Sequence, residues 1–416
     1  MTDRRSGFYD RQAETMPAAE RRAMQDGILR GVAQYCYEGS TTYRQKMDAA
    51  GLTPDTIASL DDLPAIPITR KSETQDMRFE GIMVVPYNQA RRIFVSPGPQ
   101  FYAYGPIPQE ANPLLRVYHA IGFRKGDVVI NTFTYHLTPA GINFDESLGA
   151  FGCAVVPAGP GNTDLQVEIL SKLDVTGYVG TPSFLKIIAS KARELGVNPR
   201  GDFSIQIALT TAESLPQPLR AELEDTYGCM VRQLYGSADG LLPCYECWAA
   251  DGMHVTDLMV LEIVDPESWE PVPHGTPGAV VATVANPYRP LLRFANGDRA
   301  VMRDDPCVCG RTSPRIWFMG RIDEAAKVRG MFVYPEQIAE ALGRFPEIAA
   351  WRAFVDRDAE GLDDFIVEFE SPADESLAEK LTDALRAVVR VRARVAPVSA
   401  GTIPGEERGH LRDRRS

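Results

Sequence analysis

Apolar positions recur at steps of three and four through Met24, Ile28, Leu29, Val32 and Cys36, a period near 3.6 that predicts helix over residues 14–50. Pro64, Pro67 and Thr69 then interrupt the pattern, residues 81–85 read as a short strand and residues 91–95 as a buried one. From residue 126 short apolar runs alternate with helical spacing. Strands are expected at 127–133, over the 149–156 segment, at 177–180 and at 205–210, with helices at 165–173, 183–195 and 216–227. Such alternation predicts right-handed βαβ units and a mostly parallel sheet. Ligands of such sheets lie beyond the carboxyl ends of the strands, so the loops after Phe133, Val156, Gly180, Thr210 and Leu234 are the ones to follow. Past residue 335 the order becomes helix (335–345), two strands (350–356, 364–369), helix (373–388) and strand (391–397), a small α+β unit the size of an independent domain.

At 416 residues and 44% hydrophobic content the chain has room for two or three cores. No run approaches the roughly 18 apolar residues of a membrane span, and MTDRRSGFYDRQAE lacks the apolar centre of a secretory signal, so a cytoplasmic protein with no membrane partner is expected. A net charge of −12 argues against a nucleic-acid partner, because phosphate neutralisation needs concentrated Lys and Arg. The dense basic segments, Arg386–Arg394 and Arg408–Arg415, suit either a polyanionic ligand or a solvated face and a frayed end. Seven cysteines, an odd number, point away from a disulfide scaffold.

Their spacing says more. Cys247, His254, Cys307 and Cys309 make three thiolates and an imidazole, a complete tetrahedral set whose closure marks structural zinc, in a knuckle within about residues 244–310. Cys244 is a rival ligand, since Cys244-x-x-Cys247 is the tighter spacing. Elsewhere, Asn296-Gly297-Asp298 reads as a strand ending in a tight turn, and Gly320-Arg321-Ile322-Asp323 as a second turn opening the C-terminal unit. A carboxylate accepts from two vicinal hydroxyls while a guanidinium covers the neighbouring oxygens, which makes Asp298 and Arg321 candidates for gripping a ribose; by itself Asn-Gly-Asp is also an ordinary hairpin turn. Tyr135-His136-Leu137-Thr138-Pro139 combines an aromatic, an imidazole and a helix start, a mix suited to walling a carboxylate, although a lone histidine is more often structural. Thr210–Ser214 follows a strand and precedes a helix, which makes Ser214 a candidate N-cap.

Four segments in order, Tyr235-Gly236-Ser237-Ala238-Asp239, Asn296-Gly297-Asp298, Gly320-Arg321-Ile322-Asp323 and Arg329-Gly330-Met331-Phe332-Val333-Tyr334-Pro335, resemble the adenylate-forming enzymes. The chain is more closely similar to the phenylacetate-CoA ligase family, which carries Tyr-Gly-x-Ser-Glu, Thr-Gly-Asp, Gly-Arg-x-Asp and Arg-Gly-x-x-x-Phe-Pro in that order. The likeness extends over Glu14–Lys71 and the Thr181-Pro182-Ser183 turn, hence over nearly the whole chain. It implies an α/β adenylate-forming fold, with a large N-terminal domain (1–322) and a small α+β lid (323–416) rotating about Asp323. The implied activity is ATP-dependent ligation of an aromatic carboxylic acid to CoA through an acyl-adenylate, with ATP/AMP, Mg²⁺, coenzyme A and structural Zn²⁺, in a dimer. Under it Ala212, Glu213, Ser214, Tyr235, Gly236 and Ser237 hold the adenine side of the nucleotide, Asp239 takes magnesium, and Asp298 and Arg321 take the ribose. Tyr135, His136, Thr181 and Pro182 face the acid, and the family's elements favour His254 over Cys244 as zinc ligand.

The chain also departs from that pattern. Ser96-Pro97-Gly98-Pro99-Gln100 stands where the family has a phosphate loop ending in Gly-Lys; it has no lysine, and each proline removes an N–H that such a loop would offer. Ala238 and Asp239 replace a hydroxyl residue and a glutamate. Gly409-His410 stands where the family has Gly-Lys, so either Arg408 or His410 supplies the adenylating cation or that step is lost. Two alternatives stay open on these grounds: the same fold handling a preformed adenylate or thioester, and a non-catalytic nucleotide-binding or scaffold protein.

Overall fold

The structure is a computed structural model that describes residues 3–75, 81–96, 100–105, 112–237, 240, 244–322, 325–328, 331–357, 363–371, 375–389 and 391–415. The chain folds as two units. The larger takes residues 1–276, 281–296 and 301–317; the smaller takes 277–280, 297–300 and 318–416.

In chain order the strands are β1 (Thr69–Arg70), β2 (Arg92–Ser96), β3 (Gln100–Tyr104), β4 (Val128–Asn131), β5 (Ala154–Pro157), β6 (Gly177–Gly180) and β7 (Ile207–Thr210). There follow β8 (Met230–Tyr235), β9 (Cys244–Glu246), β10 (Met253–Val255), β11 (Met259–Val264), β12 (Gly278–Val284), β13 (Leu291–Arg303) and β14 (Arg315–Arg321). In the larger unit β5, β4, β6, β7 and β8 lie side by side and parallel. Helices Ala140–Phe151, Thr163–Lys172, Pro182–Glu194 and Gln217–Tyr227 make the crossovers. The sheet then turns antiparallel through β9 and β10, with Met253 opposite Ile316 of β14.

Strand alternation explains the layers. Val129, Val179, Ile207 and Leu209 enter one apolar cluster, whereas Ile130, Tyr178, Ala208 and Val231 enter another. Successive side chains of one strand point to opposite faces, so an all-apolar strand is covered on both.

The smaller unit holds the hairpin β15 (Ala326–Val328) and β16 (Met331–Val333), and the sheet of β17 (Ala350–Arg357), β18 (Asp363–Glu370), β19 (Arg394–Val398) and β20 (Leu411–Asp413). Its order is β19-β18-β17-β20. Helices Pro335–Leu342 and Glu375–Val389 cover it through Ile338, Leu342, Leu381 and Leu385.

Several sequence expectations are corrected. The helix expected over 14–50 divides into Ala18–Gly39 and Thr41–Ala49, because Ser40 is extended and its side chain accepts from Tyr43 N. A serine competes with the helix for backbone donors and so starts a new one. Residues 81–85 form no strand, with Val84 N bonded to Tyr288 O at 3.1 Å. Nor is β2 the buried strand expected at 91–95, since among the described residues it pairs only with β3 and leaves Ile93 43% exposed. Asn296-Gly297-Asp298 is not a turn: β13 runs through it, and Gly297, at φ 89, kinks the strand without ending it.

Candidate functional site

The turn after β7 carries strain at a residue that is not glycine: Ala212 sits at φ 70, in the left-handed region. Next to it Glu213 accepts from Ser183 Oγ at 2.8 Å and Ser183 N at 3.2 Å, tying the loops after β6 and β7 together. Thr181 Oγ1 caps the helix that Pro182 opens, accepting from Phe184 N, so this pair shapes the loop through the backbone. Ser214 is exposed and does not act as the expected cap. The next helix starts at Gln217 after Pro216, and with prolines at 216 and 218 there are fewer N–H groups left to cap.

Tyr235 ends β8 with its hydroxyl accepting from Asn296 Nδ2 at 2.9 Å. Gly236 is exposed, and Ser237 Oγ is buried with no hydrogen-bond partner among the described residues. A buried hydroxyl left open on a nucleotide-type turn is what an absent phosphate or ribose oxygen would satisfy. Asp239, expected to take magnesium, lies outside the described residues, as do Asp323 and the Pro97-Gly98-Pro99 centre of the phosphate segment.

In the smaller unit Asp298 and Arg321 meet, Arg321 Nη1 lying 3.3 Å from Asp298 Oδ1. Each follows a positive-φ glycine in its strand, with Gly297 at φ 89 and Gly320 at φ 83. Ile322 N donates to Gly297 O at 2.7 Å and holds the two kinks in register. The carboxylate is mostly buried and the guanidinium about a third exposed.

At the carboxyl end of β4, Asn131 is fully buried, donating to Tyr135 Oη at 2.9 Å and Gly141 O at 2.8 Å. Tyr135 also hydrogen-bonds Asp145; burial first, and then that carboxylate, push the phenol up to about 12. Burial likewise raises Asp145. A phenol that stays protonated donates to Asp145 and accepts from Asn131, which fixes its ring. Neither partner was singled out from sequence; an asparagine closing an apolar strand was the available signal. His136 is exposed, its backbone N–H donating to Thr134 Oγ1.

Cys247, His254, Cys307 and Cys309 converge, their ligand atoms all within 4.8 Å of one another. Cys247 Sγ and Cys307 Sγ are 3.8 Å apart, and Cys309 Sγ lies 3.4 Å from His254 Nε2. Tetrahedral zinc requires edges of about 3.8 Å between sulfurs and about 3.6 Å between sulfur and nitrogen, so the set fits that ion. Ser313 Oγ meets His254 Nδ1 at 3.2 Å, orienting the ring from outside. Cys244 faces Tyr235 and Val255 across the sheet and is not part of the group.

Arg408 and His410 lie in the smaller unit. Arg408 Nε donates to Ile403 O at 3.2 Å and Nη2 lies 3.6 Å from Glu370 Oε2. Glu370 is itself held below the usual carboxylate range, first by Ile403 N and then by the Gly401 and Thr402 amides. Arg408 is therefore occupied in shaping this loop. His410 exposes its imidazole, while its backbone carbonyl accepts from Ala353 N at 2.9 Å.

A doubly covered α/β sheet with strained turns at its ligand end, and a separate unit carrying an acid–guanidinium pair, define the class of AMP-binding, adenylate-forming enzymes. The family profile described as AMP-binding enzyme matches residues 116–288. The chain is 30% identical over 410 residues to a phenylacetate-coenzyme A ligase of Thermus thermophilus, covering 94% of this chain and 92% of that one. It is 27% identical over 416 residues to the enzyme of that name from Escherichia coli, covering 95% and 94%. A crystal structure of 2-hydroxyisobutyryl-CoA ligase with its acyl-AMP and CoA superposes with a TM-score of 0.82 at 25% identity, over 97% of this chain and 95% of that one. The chain belongs to the phenylacetate-CoA ligase family. It is an enzyme of the ATP-dependent, AMP-forming acyl-CoA ligases. No helix among the described residues is long and apolar enough to cross a membrane.

Proposed function

We propose that this ligase activates an aromatic carboxylic acid, in the cytoplasm, using magnesium–ATP. The observation that carries the nucleotide assignment is the meeting of Asp298 and Arg321 at 3.3 Å on two glycine-kinked strands. Asp298 accepts from the ribose hydroxyls and Arg321 covers the oxygens beside them. Tyr235 stacks on the adenine with the Ala212–Ser214 turn beneath it, Ser237 Oγ takes a phosphate or ribose oxygen, and Asp239 offers an oxygen to Mg²⁺. The aromatic preference is supported by the Phe133–Phe144 stack, with ring centroids 5.4 Å apart, beside the Tyr135 loop, and by the names of the curated relatives. His136 belongs to the same loop, and Thr181 and Pro182 set the backbone opposite.

The acid's carboxylate oxygen attacks the α-phosphorus and pyrophosphate leaves; the CoA thiol then attacks the acyl carbon and AMP leaves. Charge developing in the first step needs a cation. With Arg408 occupied at Glu370, His410 takes that part. Cys247, His254, Cys307 and Cys309 hold a structural zinc, a closed four-ligand set with no position for substrate. All seven cysteines are free, which suits a reducing compartment.

The test is pyrophosphate release with ATP and a panel of aryl acids. Release with an aryl acid supports the reading. Nucleotide binding without release with any acid would sink it in favour of an enzyme fed a preformed adenylate or thioester, and absence of both would favour a scaffold.

A further inference from the structure

Residues 3–21 run along the larger unit and are tied to it by charged side chains rather than by an apolar stripe. At one end Arg4 forks onto Asp127, at 2.7 and 2.8 Å, and Arg124 donates to the carbonyls of Asp3 and Ser6. At the other end the ties converge on the segment just after Cys309. Arg311 Nη2 lies 2.6 Å from Glu14 Oε2, with both side chains 1% exposed, and donates to Gly7 O at 3.3 Å. Its guanidinium sits 5.1 Å from the Phe8 ring centroid. Thr312 N donates to Glu14 O, Thr312 Oγ1 to Met16 O, and Arg21 to both the carbonyl and the hydroxyl of Thr312.

Beyond these ties the segment that receives them is held by Gly310 N donating to Cys307 O at 3.0 Å and by Val255 N donating to Pro314 O at 2.9 Å. Val308 is 79% exposed and Gly310 turns at φ 82. Arg311 Nε and Nη1 are buried with no hydrogen-bond partner among the described residues. A buried ion pair with open donors does not place itself, since its desolvation cost is met only when the geometry is imposed from outside. That geometry comes from the cysteines: Arg311 N donates to Cys309 Sγ at 3.4 Å, and Ser313 Oγ meets His254 Nδ1. Residues 309–313 thus present one side to the four-ligand set and the other to the N-terminal segment.

We propose that the metal held by Cys247, His254, Cys307 and Cys309 is the latch for the 7–21 end of the N-terminal segment: when it leaves, the loop carrying Arg311 and Thr312 relaxes and residues 7–21 detach, while the Arg4–Asp127 tie and the parallel sheet stay in place. The proposal rests on the zinc reading given above. Its thermodynamic form is a local opening whose equilibrium depends on metal occupancy. Loss of one charge-assisted tie is worth roughly a tenfold change in that opening.

Hydrogen exchange on the full-length protein, with metal content measured on the same samples, tests it. The purified protein is expected to carry zinc at near-stoichiometric level. Chelation is expected to speed exchange at the hydrogen-bonded amides of Glu14, Thr15 and Arg21 about tenfold, leaving Val129 and Ile130 of β4 unchanged. Arg311→Met, with zinc retained, is expected to free the same amides, which separates the latch from general damage by chelation. The proposal is overturned if zinc leaves and residues 7–21 stay protected, if β4 loosens to the same extent, or if Arg311→Met leaves the segment protected. Absence of zinc in the purified protein would instead strike the zinc reading, visibly in the metal analysis, and the latch with it.

Discussion

Asp298 owes its assigned role to two circumstances, its burial against Arg321 and its place after a kinked glycine. Replacing it by asparagine keeps the shape and removes the charge that two ribose hydroxyls would share. A hydrogen bond to a charged group is worth about 1.5–3 kcal/mol, so Asp298→Asn is expected to raise KM for ATP by roughly 10- to 100-fold. Calorimetric titration with AMP checks it; unchanged affinity would remove Asp298 from the site. His119 makes a different prediction. Burial, then Arg124 and Arg311, push its imidazole down to about 4 from 6.5. A base whose folded pKa is depressed binds its proton more readily when unfolded, so this stabilisation is present above 6.5 and is lost as pH falls from 6.5 towards 4. His119→Gln is expected to flatten the pH dependence of Tm across that window, read by thermal denaturation at matched buffers. Cys247, His254, Cys307 and Cys309 were legible in the sequence because ligand chemistry restricts residue type. The Asn131–Tyr135–Asp145 chain was not, because any polar residue reads alike until its neighbours are known.

Among elements, β6 stands at Gly177–Gly180 as expected and β7 starts two residues later than expected, whereas the segment expected at 149–156 is helix through Phe151 and becomes β5, a partly exposed strand, only from Ala154. Full burial on both faces leaves an apolar run that periodicity reads directly. The helix start at Thr41 was missed because capping by Ser40 and not periodicity decides it, whereas Ser214 failed as a cap although its helix begins at Gln217, one residue from the expected start. The helix Ala140–Phe151 exposes the element-scale constraint: a Cβ on Gly141 would lie 2.3 Å from Thr134 O, a backbone atom that cannot swing aside. Gly141→Ala is expected to cost about 1–3 kcal/mol through overpacking and to displace the Tyr135 loop. Urea denaturation and KM for the acid measure the two effects, and a variant as stable as the parent would show that this approach is not tight.

On the scale of the molecule, the two units carry different parts of the proposed chemistry. His410 belongs to the smaller unit, and in that chemistry its exposed imidazole stands in for the family's lysine. A single placed electrostatic donor is worth about 10²–10³ in rate, so His410→Ala is expected to lower pyrophosphate release by about 10²-fold. Thioester formation from a synthetic acyl-adenylate and CoA is expected to continue, since the cation serves only the first step. Equal loss in both reactions would place His410 elsewhere in the mechanism.

The order of motifs along the chain and the alternation of strand and helix were settled by the amino-acid sequence alone, and the sequence offered the cysteines and His254 as candidate ligands, because each depends on local spacing or on side-chain chemistry. Tertiary structure decided that Asn296-Gly297-Asp298 is a kink inside a strand, that His254 and not Cys244 completes the four-ligand set, and that Arg311 is buried against Glu14. These three depend on which distant segments pack together, and such pairings are chosen by shape and burial over the whole chain, not by the residues at either end.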